Sequence, residues 1–141
     1  MVITPIVNDG RINRSKTTLN KIVAATISLL RKNNNGQIPT AQEIAVKSGV
    51  GIRTVFRHID DMEGLIEEVN RRYLNDLESY IAKNNPKQNS KDQRIEHVIK
   101  ERFYLYNTYQ HVFNLTITSL NNSNAIRTGF IKFNHILRQR F

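Results

Sequence analysis

Within SGVGIRTVFRHIDDMEGL, residues 48–65, the guanidinium groups of Arg53 and Arg57 stand four residues apart, and His58 follows directly. On a helix that spacing puts both arginines on one face. A guanidinium presents a planar fork of donors that matches a phosphate or the edge of a guanine, so the chemistry on offer is recognition of an anion and not bond making. Asp60, Asp61 and Glu63 come next, and carboxylates there suit the positive end of a helix that begins at the same point. Helix capping therefore accounts for the acidic run without an active site.

The rest of the chain adds no catalytic apparatus. It has no cysteine, which removes disulfides, thiolate nucleophiles and thiolate metal sites together. There is no phosphate-cradling glycine loop and no nucleophile elbow, so an enzyme is not expected. His58, His97, His111 and His135 lack metal-ligand spacing, and neither a metal nor a cofactor is expected. The start, MVITPIVNDGRINRSK, does not read as a signal peptide. No run approaches the ~20 apolar residues that span a bilayer, so the expectation is a soluble, cytoplasmic protein with no membrane partner.

Charge points the same way as the arginines. Residues 1–60 hold nine basic and three acidic side chains and the remainder twelve and nine, which divides the formal net charge of +9 into +6 and +3. The stronger positive field surrounds the opening segment, and its natural partner is polyanionic.

The elements that must carry these residues are helices. Leu19, Ile22, Val23, Ile27 and Leu30 follow the three-and-four spacing of an amphipathic helix over about 16–32, which NNNG closes at Gly36. Thr40 and Glu43 form the sequence of a capping box, and Gly49 stops that helix within about two turns. A second short helix is predicted from about Gly51 to Ile59, giving two short helices on a glycine turn, the arrangement of a helix-turn-helix. Ile44, Ala45, Val50, Val55 and Ile59 are its candidate core, which leaves Ile52, Arg53, Arg57 and Thr54 facing outward. A longer helix runs from about Asp61 through Leu65, Ile66, Val69, Tyr73, Leu77 and Ile81, and KNNPKQNSK reads as a linker. Ile95, Val98, Ile99, Phe103, Tyr106, Phe113, Ile117 and Leu120 predict one long, bent helix. NNSN breaks it, and a last helix carries Ile126, Phe130, Ile131, Ile136, Leu137 and Phe141. That helix stops on an apolar residue without a terminating signal, as a truncated chain would. The expected fold class is all-α: a basic flexible arm at 1–16, a three-helix unit containing the helix-turn-helix at 17–65 and an incomplete helical domain at 66–141.

The stretch TTLNKIVAATISLLRKNNNGQIPTAQEIAVKSGVGIRTVFRHIDDMEGLIEEV resembles the DNA-binding domain of TetR-family transcriptional regulators. Over roughly residues 11–70, an I-x-A-A helix, T-x-x-E-I-A-x-x-S-G-V, R-T-V-F-R-H-I and a closing E-G-L occur in order. The resemblance implies a homodimer that lays its second short helix in the major groove at each half of a palindrome. It also implies a later helical domain that pairs the subunits and takes a small-molecule effector, usually in a repressor. Gly51, Ile52, Arg53 and Thr54 would then lie nearest the base edges, with Arg53 on the O6 and N7 of a guanine. Thr40, Phe56, Arg57 and His58 would stand near phosphates, and Arg11, Arg14 and Lys16 would form a basic arm. Three positions depart from the pattern: Phe56 replaces a tyrosine, Met62 a common lysine, and Gly51 a serine.

Competing readings remain for several of these residues. His58 also suits packing between helices. Phe103, Tyr106, Tyr109 and Phe113 fit a ligand cavity, chiefly through the resemblance, or an ordinary core. The alternative for the whole chain is a non-specific basic module for nucleic acid or a membrane surface, since the last helix carries Arg127, Lys132, Arg138 and Arg140 without an acid.

Overall fold

The computed structural model describes residues 10–59, 61–84 and 90–139, and among them all secondary structure is helical. Seven helices follow in order: α1 (Gly10–Asn33), α2 (Ala41–Ser48), α3 (Ile52–His58), α4 (Met62–Lys83), α5 (Lys91–Thr108), α6 (Gln110–Ser119) and α7 (Asn124–Arg138). No described helix is long and apolar enough to cross a membrane.

The short helices depend on their ends and on burial. At α2 both halves of the capping box form: the Thr40 amide donates to Glu43 Oε2 at 2.7 Å, and the Glu43 amide to Thr40 Oγ1 at 3.3 Å. Gly49 closes the helix in the left-handed region, φ 68°, where its amide reaches the Ala45 carbonyl at 3.1 Å. Seven residues are too few for α3 to hold itself in water. It persists because Val55 and Ile59 are buried with Ile22, Val23, Ile44 and Ala45, each such aliphatic side chain contributing about 1.5–3 kcal/mol. Val50, under the turn, packs on the same cluster.

Three sequence expectations need correction. Residues 10–16, expected in a flexible arm, form the first turns of α1, while residues 1–9 lie outside the described part. Side chains there bond one turn back: Arg14 Nε to the Gly10 carbonyl at 3.0 Å, and Thr17 and Thr18 Oγ1 to the Asn13 and Arg14 carbonyls at 2.9 Å each. The single helix expected across 95–120 is two, α5 and α6, separated by Tyr109 at φ −110° and ψ 22°. Turning the chain there buries Tyr109 edge-on against Tyr73, with ring centroids 5.7 Å apart. The boundary expected between 65 and 66 falls inside α4, and buried residues on both sides of it share one core cluster.

Packing around α4 organises the rest. It contacts α1 on one side and, most extensively, α7 on another. Asp61 caps α4 by accepting from the Gly64 amide at 2.6 Å, whereas Asp60 lies outside the described residues. Glu63, expected to serve the same helix start, reaches across the fold and accepts from the Ala125 amide at 2.8 Å, in the first turn of α7. Asn70 Nδ2 donates to the Ala125 carbonyl at 2.9 Å, and Gly129 lies so close that a Cβ there would meet Asn70 Nδ2 at 2.5 Å.

The α1–α2 loop is pinned in a similar way. Gly36 is buried at φ 72°, its carbonyl accepts from Thr118 Oγ1, and Asn114 Nδ2 donates to the Asn34 carbonyl at 3.1 Å. A Cβ on Gly36 would stand 2.7 Å from the Asn114 carbonyl oxygen. Gly36→Ala should therefore combine left-handed strain with a clash against backbone and destabilise the fold by about 2–3 kcal/mol. Urea unfolding checks this, as a lower midpoint with an unchanged slope.

Candidate nucleic-acid interface

On α3 the buried Val55 and Ile59 hold the helix from beneath, so its outer face is set by the 3.6-residue period. Gly51, Ile52, Arg53, Phe56 and Arg57 are exposed, and Thr54 and His58 are half-buried. Gly51 precedes the helix without a side-chain cap, and a Cβ there would meet open space. Arg53 and Arg57 thus share one outward stripe.

Folding brings a second set of cations to this helix. A groove of about 410 Å³ is lined by Arg11, Arg14, Ser15 and Thr18 from α1 and by Arg57 and His58 from α3. Three guanidinium groups, an imidazole and two hydroxyls meet there from segments about forty residues apart, and no carboxylate is among the described residues that line the groove. Such a surface accepts phosphate oxygens with multiple charge-assisted donors. Lys16 does not line it: five residues beyond Arg11, it lies roughly 140° further round α1.

Thr40 forms the capping box that its spacing to Glu43 predicts. Its hydroxyl lies 2.9 Å from Glu43 Oε2, to which it donates, and also accepts from the Glu43 amide. Those hydrogen bonds hold the Glu43 carboxyl below its ordinary range, the backbone amide of Thr40 foremost. The hydroxyl is thus committed to the cap, with a carboxylate beside it.

Of the four aromatic residues expected around a ligand cavity, the fold uses two. Tyr109 and Phe113 line a space of about 40 Å³ between α4, α6 and α7, whereas Phe103 is 70% exposed and Tyr106 lies outside, stacked on Phe113 at 5.6 Å. The remaining walls come from Asn70, Tyr73 and Leu74 on α4 and from Ile126, Gly129, Phe130 and Phe133 on α7, among others. In this conformation the space fits a few waters and falls well below the ~300 Å³ of a drug-sized site. Its α4 and α7 walls were not recognised from the sequence, because each apolar residue is explained equally well by its own helix period.

Beside this cavity sits a buried polar pair. Tyr73 Oη and His111 Nε2 are 2.9 Å apart in a single hydrogen bond. Burial pushes the Tyr73 hydroxyl well above its usual range. Burial, then the positive charge of Arg31, pushes the His111 imidazole down to about 4. No three described His, Cys, Asp or Glu residues are grouped to hold a metal ion.

No protein-family model, curated protein or solved structure matches the chain.

The histidine makes stability depend on acid. His111 is 6% exposed and neutral in the folded protein down to about pH 4, while the unfolded chain takes up its proton near pH 6.5. The unfolded state therefore binds more protons between those values, and stability should fall as pH drops from 6.5 to about 4, by at most about 1.4 kcal/mol per pH unit from this group. Above pH 6.5 the contribution is flat. Urea unfolding at stepped pH should show this slope, and His111→Gln should reduce it.

Proposed function

We propose that the protein is a sequence-specific DNA-binding transcriptional regulator that acts as a homodimer on a palindromic operator, most consistent with an effector-responsive repressor. One observation carries the reading: α1 and α3 bring Arg11, Arg14, Arg57 and His58 together in one groove beside the exposed face of a short helix. A duplex offers both partners that this reading needs, since its backbone phosphates run beside base edges. Arg57 and the α1 arginines take phosphates, which sets orientation, and Arg53 reads a guanine from the neighbouring position on α3. The ordered motifs that resemble TetR regulators support the same assignment, as does the concentration of positive charge in the first 60 residues.

Within this reading, Thr40 acts through the cap that orients α2, and Lys16 adds to the general field. The small cavity between α4, α6 and α7 is the candidate effector site and must widen to admit a ligand. Glu63 and Asn70 join that region to the helix that follows α3.

The test is fluorescence anisotropy with duplexes tiled across the DNA flanking the gene, over a salt series. Tight binding to one palindromic tile, lost in Arg53→Ala, is the expected result. Arg14→Ala and Arg57→Ala should each weaken binding to every tile and lower the salt slope by about 0.9, one released counterion apiece. Equal, salt-sensitive binding to all tiles, unchanged by Arg53→Ala, would leave only a basic surface. Light scattering on the free protein and on its complex checks for two subunits per palindrome.

A further inference from the structure

The outward face of α3 is divided lengthwise. Ile52 and Phe56 stand four residues apart and form one stripe, and Arg53 and Arg57 form a second beside it, about 100° further round. Phe56 is 59% exposed and Ile52 38%, and neither packs with the core cluster. An exposed phenyl ring and an exposed isoleucine adjoining two arginines on a seven-residue helix contribute little to folding.

Their position relative to the groove says what they face. The groove with Arg11 and Arg14 lies on the Arg57 and His58 side of α3. If phosphates occupy that side, the apolar stripe lies beyond Arg53, toward the base edges, which moves Phe56 from the phosphate position that the resemblance implies to a base contact. A phosphate gains nothing from a phenyl ring. The apolar group that a duplex displays in its major groove is the C5 methyl of thymine.

We propose that Ile52 and Phe56 are specificity-determining residues that read thymine methyl groups, next to the guanine taken by Arg53. This rests on the DNA-binding reading above and adds the chemistry of the half-site: each half contains at least one thymine whose methyl is required, adjacent to a guanine. It also gives a use to phenylalanine at position 56, since an apolar ring edge serves a methyl without needing a hydroxyl.

The experiment changes the DNA and leaves the protein intact. A duplex is first enriched from a random library on the full chain. Each thymine of the enriched site is then replaced in turn by deoxyuridine, which removes only the methyl and keeps the O4 acceptor and the pairing. Affinity should fall about four-fold at each contacted thymine, the equivalent of one buried methyl. In Phe56→Ala, whose exposed position spares the core, binding to the thymine duplex should weaken and the uracil substitution opposite Phe56 should cost nothing more. Phe56→Tyr should keep the uracil sensitivity, because the ring remains. An enriched site that binds equally well with uracil at every position, or a Phe56→Ala, Ile52→Ala double variant as sensitive to uracil as the native protein, would overturn this inference alone. Failure to enrich any sequence would overturn the sequence-specific reading and this inference with it.

Discussion

Helix α4 must satisfy two neighbours at once, and the remaining helices are arranged by how it does so. Its buried residues Leu65, Ile66, Val69, Tyr73 and Leu77 form one broad face, while Glu67, Arg71, Asn75 and Glu78 leave the other side to solvent. Toward α1, Arg72 Nη2 donates to Asn20 Oδ1 at 2.6 Å. Toward α7, Glu63 and Asn70 take both the amide and the carbonyl of Ala125, and Gly129 permits the close approach. An incoming helix whose N-terminal amide is already met by a carboxylate on α4 has little freedom to slide or rotate.

This arrangement explains how a helix as short as α3 can present a defined surface. Its own hydrogen bonds are too few to maintain it, so its orientation is inherited from Val55 and Ile59 in the core shared with α1 and α2. The same α1 carries Arg11 and Arg14, whose backbone is held by continuous helix. Both walls of the basic groove are therefore attached to one buried cluster. A groove built in this way keeps its shape without contacts between its like-charged members.

The C-terminal helices show a different balance. Ile95, Ile99, Phe103 and Tyr106 fall on one side of α5 at three- and four-residue intervals, yet all are exposed, while Glu101 and Leu105 are turned inward. Arg102 Nη2 donates to the Leu137 carbonyl at 3.1 Å, so α5 is anchored to α7 by a polar contact that its apolar period does not announce. Periodicity identified a helix here but not its buried side. The reason is physical: a regular apolar stripe says that a face exists, whereas the elements packed nearby decide whether that face or the adjoining one is covered.

What the sequence by itself determined is local. The all-helical class, the Thr40–Glu43 capping box, the Gly49 stop, the Asp61 cap and the shared helix face of Arg53 and Arg57 are all specified by groups within one or two turns of each other. Such interactions are encoded by short spacings and survive in any tertiary context that permits the helix. Only the tertiary structure decided that Arg11 and Arg14 join Arg57 and His58, that Glu63, in the first turn of α4, also meets an amide of α7, that Gly36 abuts α6, and that Tyr109 divides one expected helix into two. Each of these depends on the direction in which whole helices pack. That direction is set by the summed burial of many side chains and leaves no signature in the spacing of any few.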